Sequence, residues 1–453
     1  FMDNISKTID PKIRLIVTVL LLFSGFVSLA SQTMMITALP VIEHEMNVSL
    51  TLVQWLTTGY TLMVGVITPL SSNLYEKFKK RNIFLATIAI FILGTLIGCF
   101  ATDFWLLLLA RLVQACASGI LMSFQMTTMI SIYPIEKRGT ILGMSGLVIA
   151  FGPAIGPTLS GLIVNTLGWR YIFILVLPMM LLVWSIGFFA FPNFSEPKDI
   201  KIDFISVGLS LLGSGLTLAS LTFFQTSALQ GWIMLVLGLA ILFIFVKRQL
   251  RLKQPMLKVQ LVKNRSFRLM TLVGICAFMV LLGTEQMLPI FTQNVLHLNS
   301  MVSGMILLPG AIANALSAAL VGRLYDKHGP KYLIISGGIL MLIAAIPFVM
   351  ISETTPVWLL TVAYMLRMIG NALVFSPAMS EAFVDVLPDE VSHATALNNS
   401  LRQAFGASSI TILIVLSNIP ATFTAGMRLS MWVTVGLVLL MLTCFGLYLR
   451  KDA

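Results

Sequence analysis

Gly322-Arg323-Leu324-Tyr325-Asp326-Lys327-His328-Gly329-Pro330-Lys331 is a short charged turn between two apolar runs, and Ser72-Asn73-Leu74-Tyr75-Glu76-Lys77-Phe78-Lys79-Lys80-Arg81 repeats its pattern. Each stretch sets an acid beside a base, four residues after a small residue. One such turn is an ordinary charged loop. Two at matching places imply a chain built from two similar halves. An acid in a tight turn can cap a helix N-terminus and pair with neighbouring bases. Glu76, Lys77, Gly322, Asp326, Lys327 and Gly329 are therefore expected to act in gating, as latches whose strength differs between two arrangements of the halves.

The runs around these turns decide the solvent. Of 453 residues, 58% are hydrophobic and 10% are charged, against about 25% charged in a soluble domain. Too few charges remain for a water-facing surface, so most of the surface must meet lipid. A spanning helix takes about 20 apolar residues. The pattern predicts fourteen spans, at 13–39, 51–73, 82–101, 104–130, 139–163, 169–191, 204–225, 230–247, 268–292, 301–322, 331–351, 356–380, 394–418 and 428–449. With the N-terminus placed in the cytoplasm, 24 of the 29 Lys and Arg residues fall in cytoplasmic segments. Only Arg170 and Arg428 fall outside, and Arg111, Arg367 and Arg402 lie within spans. This asymmetry predicts a multi-pass protein of the cell membrane with both termini cytoplasmic.

The repeated turns follow the second and tenth spans. The expected organisation is a six-helix bundle at 12–192, a linker with two inserted helices and a basic loop at 193–267, and a second six-helix bundle at 268–453. The loop from Lys247 to Arg268 holds eight basic residues and reads as a topology determinant near anionic lipid. The net charge of +11 is thus assigned to loops on one side, and no nucleic-acid partner is expected. Cys99, Cys116, Cys276 and Cys444 each sit inside an apolar run and read as small hydrophobes. There is no phosphate-binding loop, no HExxH and no clustered His, Asp and Glu set, so neither an enzyme nor a cofactor or metal is expected.

Two spans carry unusual chemistry. Arg111-Leu112-Val113-Gln114-Ala115-Cys116-Ala117-Ser118-Gly119 puts an arginine inside the fourth span, where translocon scales charge about 2.5–3.5 kcal/mol. It should face the protein interior, either in a proton pathway or paired only with backbone carbonyls. The fifth span holds two Gly-Pro pairs, Gly152-Pro153 and Gly156-Pro157, and then Gly161. Missing hydrogen bonds and missing bulk let that helix kink and let a neighbour approach closely. The pairs are expected to serve conformational change, or else to form a packing kink.

These motifs resemble the major facilitator superfamily. The second turn fits its G-x-L-x-D-[RK]-x-G-[RP]-[RK] loop pattern, and the first departs at Ser72, Glu76 and Lys79. Arg111 to Ala115 is similar to the superfamily's R-x-x-Q-G motif, linked there to proton coupling, and the Gly-Pro pairs are similar to its antiporter motif. Ala38-Leu39-Pro40, Gly168-Trp169-Arg170, Asp203 with Gly208, Gly231-Trp232 and Arg402-Gln403-Ala404-Phe405-Gly406 resemble the fourteen-helix drug:proton antiporter family, including Gram-positive multidrug exporters. The resemblance implies an all-α polytopic membrane protein of the major facilitator fold, with fourteen transmembrane helices in two six-helix bundles plus an inserted pair. It implies proton-coupled efflux of lipophilic and cationic compounds by alternating access. Its expected partners are those compounds, protons and membrane lipids, and it is expected to act as a monomer. A proton-coupled transporter of one physiological metabolite is the alternative. The family's span-1 aspartate is replaced here by Ser31, followed by Gln32.

The proton must then use another acid. Glu285 alone lies well inside a span, after the apolar stretch Ala277 to Leu282. A carboxyl there is costly to ionise, and an acid at membrane depth is a functional candidate by default. Glu285 is expected to alternate between a proton and a cationic substrate. The alternative is a permanently protonated acid hydrogen-bonded between helices. Asp103, in the span of Arg111 but nearer the exterior, is the second candidate. A mostly apolar binding site with a few polar groups is expected from Gln32, Met35, Gln114, Gln125, Phe151, Glu285 and Gln286.

Overall fold

The computed structural model describes residues 9–133, 148, 151–152, 155–194, 197, 199, 201–224, 226–387 and 390–450. Pro153 and the side chain of Asp326 lie outside the described residues. Among those described, the regular structure is helical. Besides a short helix at Leu50–Val53 capped by Ser49 and a 3-10 turn at Val259–Lys263, fourteen longer helices follow in order: α1 (Pro11–Glu45), α2 (Trp55–Lys77), α3 (Lys80–Cys99), α4 (Phe104–Ile132), α5 (155–166), α6 (Arg170–Ala190) and α7 (Phe204–Phe223). The rest are α8 (Ala228–Arg251), α9 (Arg265–Asn294), α10 (Ser300–His328), α11 (Pro330–Val349), α12 (Val357–Ala382), α13 (Val391–Ser417) and α14 (Phe423–Leu449). All but α5, whose expected span begins outside the described residues, are long and apolar enough to cross a membrane.

Local chemistry sets the ends. Asp10 caps α1 ahead of Pro11, Asn264 caps α9 through Phe267 N at 3.1 Å, and Asn299 caps α10 through Val302 N at 2.9 Å. Each cap satisfies a backbone donor that the first turn leaves open. Between α10 and α11, Gly329 at φ 70° ends one helix, its N–H reaching Tyr325 O, and Pro330 starts the next. Span 1 was expected to stop near Pro40, yet α1 continues to Glu45. One proline within a membrane helix is tolerated where neighbours and local adjustment satisfy the freed carbonyl.

The two halves repeat the same neighbours. In the first, α4 packs on α2, α3 and α1, and α6 on α3 and α1; in the second, α12 packs on α10, α11 and α9, and α14 on α11 and α9. Even the turns match. Asn47 (φ 52°) lies two residues before the Ser49 cap, and His297 (φ 54°) lies two before the Asn299 cap.

The halves meet along two seams. In one, α2 packs on α13, with Ser400 Oγ donating to Gly65 O and Thr411 Oγ1 3.3 Å from Thr58 Oγ1. In the other, α5 lies on α10, with Thr158 Oγ1 donating to Gly304 O at 2.9 Å and Ser300 Oγ to Gly161 O at 3.2 Å. Between the seams, Gln293 Nε2 donates to Thr37 O at 3.0 Å. Near that end of α1, Asn294 Nδ2 donates to Glu43 at 3.3 Å. These contacts run from mid-bundle to the end where α1 and α9 finish and α2 and α10 begin, so the halves are closed together at that end.

The inserted pair α7–α8 packs over the α2–α13 seam, where Leu218 of α7 joins Leu62 and Val66 of α2 and Ala407 of α13. Its open end is clipped: Arg248 Nε and Nη2 donate to Asp203 at 2.8 and 2.9 Å, and Gln249 Nε2 donates to Ser206 Oγ at 2.6 Å. The basic loop after α8 does more than lie against lipid. Met256, Leu257 and Leu261 are buried in the C-terminal core, and Lys258 pairs with Glu390.

The Arg248 guanidinium, aided by the Ser206 hydroxyl, holds the Asp203 carboxyl down to about 2. A carboxylate lowered in the fold adds stability in full above its ordinary range near ~4 and loses it as pH falls through the folded value. Wild type is therefore expected to melt above Asp203→Asn at pH 7, and the gap to narrow from about pH 4 downward. Fluorescence-detected melting of the purified protein checks it. A gap that stays constant through pH 3 would remove the pair as its source.

Candidate functional site

The core of the first half is organised around one charge. Arg111 of α4 is 0% exposed. Its guanidinium donates to the carbonyls of Ser31 (3.0 Å), Gln32 (3.1 Å) and Leu56 (3.3 Å) and to Gln114 Oε1 (3.0 Å). It also stands 4.1 Å from the Tyr60 ring centroid. Carbonyl dipoles and a π face replace the water this cation lost. No carboxylate is among its partners in the described residues. Gln114 is engaged too, since its Nε2 donates to Thr95 Oγ1 at 2.9 Å. The Tyr60 hydroxyl meets Ser118, which accepts from Ser28 at 2.7 Å, so α1, α2 and α4 are tied by one polar network.

The second half carries a shifted version. Counting from the first residue of each helix, Tyr364 stands in α12 where Arg111 stands in α4, and Arg367 stands where Gln114 does. Arg367 is also 0% exposed. It donates to Thr284 Oγ1 at 2.8 Å and Thr434 Oγ1 at 3.0 Å, and its guanidinium lies 5.3 Å from the Phe348 ring.

Glu285 follows Thr284 on α9 and is 5% exposed. Among the described residues its carboxyl makes no hydrogen bond, and its helix α9 packs on α12, the helix of Tyr364. Helical spacing puts Phe278, Leu281 and Glu285 on one face of α9, and Tyr364, Asn371 and Phe375 on one face of α12. Both amide atoms of buried Gln286 and the Oδ1 of Asn371 have no hydrogen-bond partner. Buried polar groups are nearly always satisfied, so Gln286, next to Glu285 in the sequence, and Asn371 on α12 are exceptions that packing alone does not account for.

The other expected site residues fall into three groups. Gln32 joins the Arg111 cluster through its carbonyl, and its amide reaches only to 3.5 Å from Thr61 Oγ1. Met35 is 0% exposed in the first core, Gln125 lies against Gly25 of α1, and Phe151 is half-buried. Asp103 is exposed and caps α4, accepting from Trp105 N at 2.9 Å and Leu106 N at 3.1 Å. It stands about 10–12 Å along the helix from Arg111 at 1.5 Å per residue, so the two do not meet as a pair.

The expected gating residues divide similarly. A Cβ on Gly152 would stand 2.8 Å from Leu29 Cβ, and one on Gly156 would stand 2.8 Å from Ala30 O, so these glycines let α5 lie on α1. Thr37 Oγ1 reaches Pro157 O at 3.3 Å. Glu76 and Gly322 are exposed, and Lys77 lies 5.9 Å from the Phe78 ring. Lys327 follows on the last turn of α10, before Gly329. The tyrosine of each repeated turn reaches inward. Tyr75 donates to Ser131 of α4 at 3.4 Å, whereas Tyr325 donates to Glu381 of α12, which also accepts from Tyr448 of α14. Tyr364, Arg367, Asn371 and the Glu381 cluster were not among the expected site residues. The in-span cost that singled out Arg111 applies equally to Arg367 and was the available signal.

The family model described as Major Facilitator Superfamily matches residues 21–411. An uncharacterized MFS-type transporter of Bacillus subtilis, YcnB, is 37% identical over 423 residues, 92% of this chain and 89% of that one. The lincomycin resistance protein LmrB of Listeria innocua is 34% identical over 401 residues, 87% and 84% of the two chains. Among solved structures, a POT family transporter in complex with 5-aminolevulinic acid superposes with a TM-score of 0.73 over 96% of each chain, at 16% identity. That last likeness speaks for the fold.

Proposed function

The chain belongs to the major facilitator superfamily, a family of multi-pass membrane transporters of small molecules and not of enzymes, and on that premise we propose that it is a proton-coupled multidrug efflux antiporter exporting lipophilic and cationic compounds. The observation that carries this reading is Glu285, a buried acid with no hydrogen bond among the described residues, on a face shared with Phe278 and Leu281. An ionised carboxyl in that place attracts a cation, and a proton displaces it. Coupling follows if the two are exclusive and the halves alternate in access. The glycine contacts of α5 with α1 and α10 supply the packing that such a movement makes and breaks. The name of the LmrB relative supports a drug as cargo.

In this reading the halves at 12–192 and 268–453 rock against each other, with 193–267 carrying the inserted pair. The loop charges support a cell-membrane orientation with both ends in the cytoplasm. Inverted vesicles with an acid interior test the whole. Ethidium should accumulate in a gradient-dependent way, and its addition should release protons from the lumen. Vesicles that move neither dye nor protons would sink the proposal.

A further inference from the structure

Arg402 of α13 is 8% exposed and no acid pairs with it among the described residues. Its Nη2 donates to Asn399 Oδ1 at 2.9 Å and its Nη1 lies 3.9 Å from Met379 Sδ, while its Nε has no partner. The guanidinium carbon stands 5.1 Å from the Phe278 ring and 4.9 Å from the Phe375 ring, and those rings are 6.4 Å apart. Those phenylalanines belong to the α9 and α12 faces that carry Glu285 and Tyr364. The faces therefore oppose each other along their length, with Asn371 between the two ends.

The result is a strip with a charge of opposite sign at each end. Glu285 lies toward the closed end of the bundle, and Arg402 lies about 10 Å further along α9, at 1.5 Å per residue over two turns. Phe278, Leu281 and Phe375 are half-buried whereas Glu285 is buried, so the strip opens toward the Arg402 end. A guanidinium removed from water and left without a counter-charge is costly unless a ligand supplies one. The two rings approach the guanidinium from neighbouring directions, and its unpartnered Nε leaves a donor for an anion.

We propose that Arg402, caged by Phe278 and Phe375, is a binding subsite for an anionic group, above all a carboxylate, so that the strip takes zwitterionic aromatic compounds with their cationic end toward Glu285. This rests on the export reading for its biological sense, but binding alone can test it. Rhodamine B carries a free carboxylate beside its cationic chromophore, and rhodamine 6G is an ester lacking that anion. Fluorescence polarisation with the purified full chain compares them.

Wild type is expected to bind rhodamine B at least about tenfold more tightly than rhodamine 6G. Arg402→Gln should abolish that preference while leaving rhodamine 6G binding within about twofold, and Arg402→Lys should keep part of it. Equal binding of the two dyes by wild type overturns the proposal with no variant needed. So does an Arg402→Gln protein that melts normally and keeps the preference, or one that loses both dyes alike. If vesicles fail to export dye while the preference holds, the export reading falls and the subsite stands.

Discussion

Vesicles carrying Glu285→Gln are expected to lose gradient-driven ethidium accumulation by about tenfold or more, and the variant is expected to bind ethidium more weakly. Glutamine keeps the shape and volume of the side chain, so core packing is disturbed little. It cannot exchange a proton. The carboxyl has no hydrogen bond to lose among the described residues, and its neighbour Gln286 already shows that the place tolerates an unsatisfied amide. Burying an acid without a partner is unfavourable, so the variant should melt at the wild-type temperature or above it. That separation matters: a folding defect lowers melting and transport together, whereas loss of the acid lowers transport and leaves melting intact. Full gradient-driven accumulation by the variant would exclude Glu285 as the coupling acid.

Gly161→Ala is expected to open the seam between α5 and α10. A Cβ there would stand 2.3 Å from Ser300 O, 3.1 Å from its carbonyl carbon and 3.3 Å from Gly304 Cα. These are backbone atoms and cannot swing aside as a flexible side chain can. Overpacking of this kind costs about 1–3 kcal/mol, enough to move an equilibrium between closed and open arrangements by about 5- to 150-fold. The contact exists only where the halves are closed together, so the cost falls on that arrangement. With Cys99, Cys116, Cys276 and Cys444 replaced by serine, a Thr158→Cys probe should react with a membrane-impermeant maleimide at least about fivefold faster in the Gly161→Ala background. Gly208→Ala in α7, where nothing lies within 4 Å, is the control and should leave the rate unchanged. Equal rates in all three proteins would mean that the seam yields without opening.

What the chain discloses by itself follows from the range of the forces involved. Apolar length is a local property, so the spans were legible, and so were the repeat and the charge asymmetry of its turns. The exit of α1 was misjudged because Pro40 is a breaker in water and a tolerated irregularity in lipid. Arg111 and Glu285 stood out because either charge is costly at membrane depth whatever surrounds it. Their partners did not stand out. Gln114 is held by Thr95 and Arg111, and the Asp103 carboxyl caps its own helix, neither of which spacing announces. Tyr364 and Asn371 lie on α12, which only the fold packs against the helix of Glu285. Nothing in the spacing of residues that far apart announces it.

The inserted hairpin has a consequence for how cargo arrives. The neighbours of α1–α4 and α6 recur among α9–α12 and α14, but α7, paired with α8, packs over the α2–α13 seam. A lipophilic solute partitions into the bilayer, so its local supply is the leaflet more than the water. Toward that reservoir the protein is lopsided: where α2 meets α13, a solute meets the hairpin before it meets the seam. In the export reading, lateral traffic from the membrane is denied the direct path on that flank by a pair of helices that carries neither Glu285 nor Arg111.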